Sequence, residues 1–199
     1  MDEGRTWLDK VRRNEPFLMM DWDFIGAVIA GKEKAAELNA FPVRPDNVAQ
    51  YQQLMGTCFG SVGAGVMILQ PVTIDVGFLT EIGDGSFINA HCTLLDTYPI
   101  RIGKRVQIGP NCGFYPVGHP VRAADRTILD PATGEERSVT SGAAITVEDD
   151  VWIGGHTVVL PGVTIGARST IGAGSVVTRS VPPDVLAAGN PCRVIRQLD

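Results

Sequence analysis

An aliphatic residue returns every six positions in the second half of this chain, at Val147, Ile153, Val159, Ile165, Ile171 and Val177. The residue after it is usually small or acidic (Glu148, Gly154, Gly166, Gly172), and the fifth of each unit is usually small or β-branched (Val151, Thr157, Val163, Ser169, Ser175). Neither a helix, with a period of about 3.6, nor an alternating strand, with a period of about 2, generates a fixed step of six. Short internal repeats mark stacked architectures, in which each unit buries its apolar side against its neighbours.

The same register runs upstream through Val62, Ile68 and Ile74, then Ile82, Ile88 and Leu94, then Ile102, Ile108 and Phe114. Between these triplets the step lengthens by two residues, always after the third unit. Three units therefore close one coil, the extra residues bulge at one corner, and the coils stack into a triangular prism of parallel strands. About five coils fit between Val62 and Pro182. In such a prism the aliphatic residue points inward, the fifth residue fills the corner, and the turn between faces calls for residues tolerant of unusual backbone angles. Cys92 and Cys112 both fall at the fifth position and read as buried thiols. With Cys58 and Cys192 they form no C-x-x-C pair, so neither a zinc knuckle nor a disulfide framework is indicated.

Two segments stand outside the repeat. Residues 1–60 carry helix signals: Thr6 with Asp9 as a capping box, Asp21 or Asp23 ahead of the segment from Phe24 to Leu38, and Pro45-Asp46 ahead of the segment from Asn47 to Gly56. The expected organisation is a helical region over 1–60, then a β-helix over 61–199 with a loop excursion at 115–146 and a C-terminal tail. Long loops in compact domains are usually functional or disordered, and this one carries Gly118-His-Pro120 at its base.

Charge and hydropathy narrow the function. A net charge of −5 argues against the broad positive field that draws proteins to nucleic acid or anionic lipid. No apolar run reaches the roughly 18 residues of a membrane span. The opening stretch lacks the apolar core of a secretory signal, so the expected compartment is the cytosol. Of three histidines, His91 and His156 fall at the fourth position of a unit, which is a corner. Only His119 lies off the repeat.

Taken together, Asp75-Val-Gly77, Phe87-Ile-Asn89, Ile108-Gly-Pro-Asn111, Gly118-His-Pro120, Val151-Trp-Ile-Gly154 and the terminal Ala188-Gly-Asn-Pro-Cys-Arg-Val-Ile-Arg196 resemble the maltose, galactoside and nodulation-type sugar O-acetyltransferases of the hexapeptide-repeat superfamily. The resemblance implies a left-handed parallel β-helix, acetyl-CoA as cosubstrate, no metal, and a homotrimer with sites between subunits. It implies that His119 is the general base, that Asn89 stabilises the transition state, and that Asp75 and Asp96 contact the acceptor hydroxyl compound. It also places Gly155 at the oxyanion and Ala173, Thr178, Arg179, Arg193 and Arg196 on the coenzyme. An imidazole with a pKa near 6.5 suits removal of a hydroxyl proton at neutral pH. Guanidinium groups suit phosphates.

The chain departs from the family in two places. The loop after His119 is longer than the family norm, and Met19 and Met20, with Asp21 and Asp23 nearby, stand where some members carry an acceptor-contacting acid. The retained polar residues point to a sugar-like acceptor. The long loop and the methionines point to a larger or more apolar alcohol. Acetylation of an amine stays open, as do two rivals: a γ-type carbonic anhydrase using three histidines, and a non-catalytic hexapeptide scaffold.

Overall fold

The computed structural model describes residues 5–19 and 21–199. Its centre is the expected left-handed prism, with three parallel sheets as faces. Face one stacks Ser61–Val62, Thr80–Ile82, Ile100–Ile102, Ile145–Val147 and Thr164–Ile165. Face two stacks Met67–Ile68, Phe87–Ile88, Gln107–Ile108, Trp152–Ile153, Thr170–Ile171 and Val185–Ala188. Face three stacks Val72–Ile74, Cys92–Leu94, Gly113–Phe114, Val158–Val159 and Val176–Val177. Five coils are complete. A sixth is begun by Val181, bridged to Ile165, and by Val185–Ala188.

Register follows the repeat: Ile88 lies over Ile108, Ile153 over Ile171, and Leu94 over Phe114. These aliphatic residues are buried, as are the fifth-position residues Cys92, Cys112, Thr157 and Ser175, which stack down one corner. Cys92 and Cys112 each lie within sulfur hydrogen-bond distance of a carbonyl of the next coil, Gly109 and Gly154 respectively. The second position needs glycine where coils meet most closely. A Cβ on Gly109 would lie 2.5 Å from the amide nitrogen of Gly155, and one on Gly154 would lie 2.5 Å from that of Ala173.

Fourth-position residues turn the corners with positive φ. After face two these are His91, Asn111, His156 and Gly174. His91 and His156 are exposed corner residues. After face one the column reads Gly65, Gly85, Arg105, Asp150, Arg168 and Asp184. Left-handed backbone costs a non-glycine residue about 1–2 kcal/mol, and here the charges alternate so that successive coils pair. Arg105 holds Asp150 with two bonds of 2.6 and 2.7 Å, and Arg168 holds Asp184 likewise. The guanidinium beside each aspartate lowers its pKa below the ordinary carboxylate value. That linkage is present above the unfolded carboxylate pKa near 4 and is lost as pH falls through the lowered value. Asp150→Asn keeps a residue that tolerates this backbone but removes the charge. It is expected to lower the melting temperature slightly at pH 7, with the difference from wild type shrinking as pH falls below about 4 and in high salt.

The N-terminal signals hold. Helix α1 (Trp7–Arg12) starts on the Thr6/Asp9 capping box, and α2 (Trp22–Ala40) starts on Asp21, whose carboxylate accepts the amides of Asp23 and Phe24. Helix α3 (Val48–Cys58) follows Asn47. Leu38, Tyr51, Met55 and Phe59 close the open end of the prism, where the Tyr51 hydroxyl donates to the Ile68 carbonyl at 2.7 Å. The inserted residues at the corner after face three make a second, smaller core. Val76, Leu79 and Tyr98 pack there against Trp7, Val11, Phe17 and Phe24.

The excursion at 115–146 also leaves from this corner, and much of it is strand rather than irregular loop. Glu136–Gly142 pairs antiparallel with Thr127–Leu129, with Val117–Gly118 and with Phe17–Leu18. The hairpin turn is local chemistry: Asp130 Oδ1 accepts the Ala132 amide at 2.9 Å, and Gly134 supplies φ +71°. Among the described residues no helix is long and apolar enough to cross a membrane.

Candidate active site

His119 follows the strand Val117–Gly118, whose partners are Ser141 and Gly142. This pairing brings the histidine ring against the same long strand, and Nδ1 lies 2.8 Å from the Val139 carbonyl. A carbonyl oxygen only accepts, so in the neutral ring Nδ1 carries the proton and Nε2 keeps its lone pair. The residue is exposed. The ring is therefore held through Nδ1, and Nε2 has no hydrogen-bond partner among the described residues.

A second feature lies on face two. A groove of about 580 Å³ runs across its coils, lined by Phe87, Asn89, Gln107, Trp152, Gly155 and Ala173 among others. Asn89 is half-buried, and its Oδ1 accepts the Ala90 amide at 2.8 Å, which leaves the side-chain NH₂ for a ligand. Small residues at Gly154, Gly155, Gly172 and Ala173 keep the groove floor flat. Among the described residues no hydrogen bond satisfies the amides of Gly155 or Ala173, whereas their counterpart Ala90 is capped by Asn89. These two amides are donors available to a bound molecule.

The sequence-derived residues fall into separate places. Asn89, Gly155 and Ala173 share the groove, while His119 is not among its lining residues. Arg193 and Arg196 lie on Arg193–Gln197, the antiparallel strand that finishes face two, opposite Ala188 and the groove residue Leu186. Both are exposed and donate only to nearby backbone carbonyls, Cys192 and Gln197, so their charge is free for phosphate. Thr178 and Arg179 are exposed at the corner after face three, away from the groove and on the side from which the His119 loop departs.

The two aspartates divide. Asp75 is half-buried, accepts the Thr97 hydroxyl at 2.7 Å and lies 3.7 Å from the Lys32 ammonium. Asp96, expected at the acceptor, is fully buried in the chain and caps an internal turn. Its Oδ1 accepts the amides of Asp75, Val76 and Gly77, and its Oδ2 accepts the Thr80 hydroxyl at 3.0 Å. Both of its oxygens are engaged from inside the fold. Burial pushes its carboxyl up, against the pull of the four donors.

Phe87, Gln107, Trp152 and Thr170 line the groove because each precedes an inward aliphatic residue and so points outward. Trp152 is 57% exposed there. The repeat signals this row, although of the groove lining only Asn89, Gly155 and Ala173 stand out as site residues in the sequence. A larger depression, about 740 Å³, lies over face one. Arg101, Arg105, Asp150 and Arg168 line it and are committed to inter-coil ion pairs, so it is structural. Among the described residues no three His, Cys, Asp or Glu side chains are grouped to hold a metal. Met19 is partly exposed, and Met20 lies outside the described residues.

Residues 144–179 match the bacterial transferase hexapeptide family. The chain is 41% identical to the galactoside O-acetyltransferase of Escherichia coli K12 over 155 residues, spanning 78% of this chain and 72% of that protein. The chain belongs to the hexapeptide-repeat sugar O-acetyltransferase family. Two crystal structures agree with this acetyltransferase along nearly its whole length. One is a maltose O-acetyltransferase from Clostridium difficile 630, 32% identical, with TM-score 0.87 and 98% of each chain covered. The other is a hexapeptide-repeat acetyltransferase from Vibrio cholerae complexed with acetyl coenzyme A, 35% identical, with TM-score 0.84, covering 98% of this chain and 100% of that one.

Proposed function

We propose that this chain transfers an acetyl group from acetyl-CoA to a hydroxyl of a sugar or sugar-like molecule, with His119 as general base. Its class is acyl-CoA-dependent O-acetyltransferase. The observation that carries the mechanistic reading is the 2.8 Å contact from His119 Nδ1 to the Val139 carbonyl, because it commits the ring to the tautomer whose Nε2 accepts a proton. In this reading Nε2 takes the hydroxyl proton as the acceptor oxygen attacks the thioester carbonyl. The Gly155 amide receives the oxygen that gains charge, a contribution typically worth about 2.7–4 kcal/mol per donor. The imidazolium then returns the proton to the departing thiolate.

The groove fits the coenzyme in shape and charge: a flat floor with two open amides, and Arg193 and Arg196 at its end for phosphates. His119 and the groove belong to different parts of one chain. We therefore read the working unit as a homotrimer in which the His119 loop of one subunit faces the Asn89 groove of the next.

An acetyl-CoA consumption assay against glucosides, galactosides, maltose, amino sugars, serine and apolar alcohols tests the acceptor class. Turnover is expected with at least one sugar hydroxyl. Activity confined to amines or serine would replace the acceptor class, and absence of both turnover and acetyl-CoA binding would favour the scaffold reading.

A further inference from the structure

His119 is oriented by a carbonyl on a strand twenty residues downstream, and both partners sit in an exposed excursion from the prism. A base used in this way needs its two anchoring segments fixed relative to each other. Arg126 touches both. Its Nε–H donates to the Pro120 carbonyl at 2.9 Å and its Nη2–H donates to the Val121 carbonyl at 2.8 Å, the two carbonyls directly after His119. Its own carbonyl accepts the Val139 amide at 2.8 Å. The Val139 carbonyl completes the ring of contacts by accepting His119 Nδ1–H.

The local backbone is shaped to allow this. A 3-10 turn at Ala123–Asp125 reverses the chain, with the Asp125 amide on the Arg122 carbonyl and the Arg126 amide on the Ala123 carbonyl. Arg122, four residues earlier, takes the nearby carboxylate of Asp125 at 3.7 Å. Arg126 has no ion-pair partner among the described residues. Its charge is spent on two backbone carbonyls, an arrangement that fixes geometry without balancing charge. The planar fork of a guanidinium reaches two adjacent carbonyls at once, whereas a lysine ammonium is a single point donor. The hairpin of Thr127–Leu129 and Glu136–Gly142 has its own ladder and a further partner in Phe17–Leu18, so it does not depend on the guanidinium.

We propose that Arg126 is a positioning residue for His119, holding the backbone after the histidine against the strand that orients its ring. The proposal rests on His119 being the base. Misplacing a reacting group by about 1 Å costs up to roughly 10²-fold in rate, so Arg126→Ala is expected to lower kcat by about 10- to 100-fold. The KM for acetyl-CoA and the melting temperature should stay near wild type. Added guanidinium ion should restore part of the lost kcat, and Arg126→Lys should stay impaired because it cannot bridge both carbonyls.

A readout independent of activity is the nitrogen–proton correlation spectrum of the three imidazoles. Wild-type His119 should show one neutral tautomer with the proton on Nδ1, and Arg126→Ala should show a mixture. Wild-type kcat in Arg126→Ala overturns the proposal. So does a loss of kcat accompanied by lower melting temperature and weaker acetyl-CoA binding while His119 keeps its single tautomer. If Arg126→Ala does not fold, Arg126→Lys carries the same kinetic and spectroscopic readouts. Full activity in His119→Ala would defeat the base assignment instead, and the tautomer measurement would still decide whether Arg126 orients the ring.

Discussion

Replacing His119 with alanine is expected to lower acetyl transfer by roughly 10² to 10⁴. The size follows from what is removed. A sugar hydroxyl is protonated at neutral pH and attacks a thioester slowly unless its proton leaves as the bond forms. Among the described residues His119 is the imidazole whose ring is fixed by a hydrogen bond with the second nitrogen left open. The side chain is exposed and makes one bond, to the Val139 carbonyl, so its loss should barely change folding. Acetyl-CoA affinity should also hold, because the groove amides and Arg193 and Arg196 remain. The measurement is steady-state kinetics with separate kcat and KM values, supported by a binding titration and a thermal melt. A variant that keeps most of the wild-type kcat would remove His119 from the chemistry.

The separation of His119 from the groove makes the same variant informative about assembly. Asn89→Ala damages the groove half of the site and His119→Ala damages the loop half. In a trimer whose sites each combine the loop of one subunit with the groove of the next, mixing the two inactive proteins under subunit exchange creates some sites with both halves intact. Activity should therefore reappear on mixing. A site completed within one chain predicts no recovery.

Much of this architecture is legible in the sequence, and the legible part has one cause. The step from Val147 to Val177 and the longer steps at Ile74–Ile82 and Leu94–Ile102 specify faces, register and the bulging corner, because every coil repeats the same local burial problem. The groove floor at Gly154, Gly155 and Ala173 belongs to that repeat as well. What the corner does is not repeated. Val76, Leu79 and Tyr98 meet Trp7, Phe17 and Phe24 across long stretches of chain, and no period announces that contact. Phe17–Leu18 pairs with Val139 and Thr140 for the same reason: a two-residue strand carries no pattern of its own. His119 is found through the resemblance carried by Gly118-His-Pro120, but its orienting carbonyl depends on the hairpin register. Asp96 lies in the bulge, where the inward–outward alternation lapses, so its burial could not be read from position.

Asp96→Ala is expected to destabilise the protein by on the order of 3–5 kcal/mol. Three consecutive amides, Asp75, Val76 and Gly77, converge on Oδ1, and the Thr80 hydroxyl sits on Oδ2. Each buried donor left without an acceptor costs roughly 1–3 kcal/mol. Three such buried donors, with the part-buried Asp75 amide, exceed what is regained by no longer burying a carboxylate, the burial that raises its pKa. The damage should spread to the second core, because the capped turn presents Val76 and Leu79 to Trp7, Phe17 and Phe24. For a chain of this length, about 2–4 °C of melting temperature accompany each kcal/mol, so the fall should be roughly 6–20 °C at equal protein concentration. Asp96→Asn separates the contributions. Its carbonyl oxygen can still receive the three amides, and its NH₂ can donate to a Thr80 hydroxyl that turns to accept, so it should lose markedly less stability than alanine. Asp96→Ala melting with wild type would mean that water or a shifted backbone satisfies the turn, and that the aspartate is free for another role.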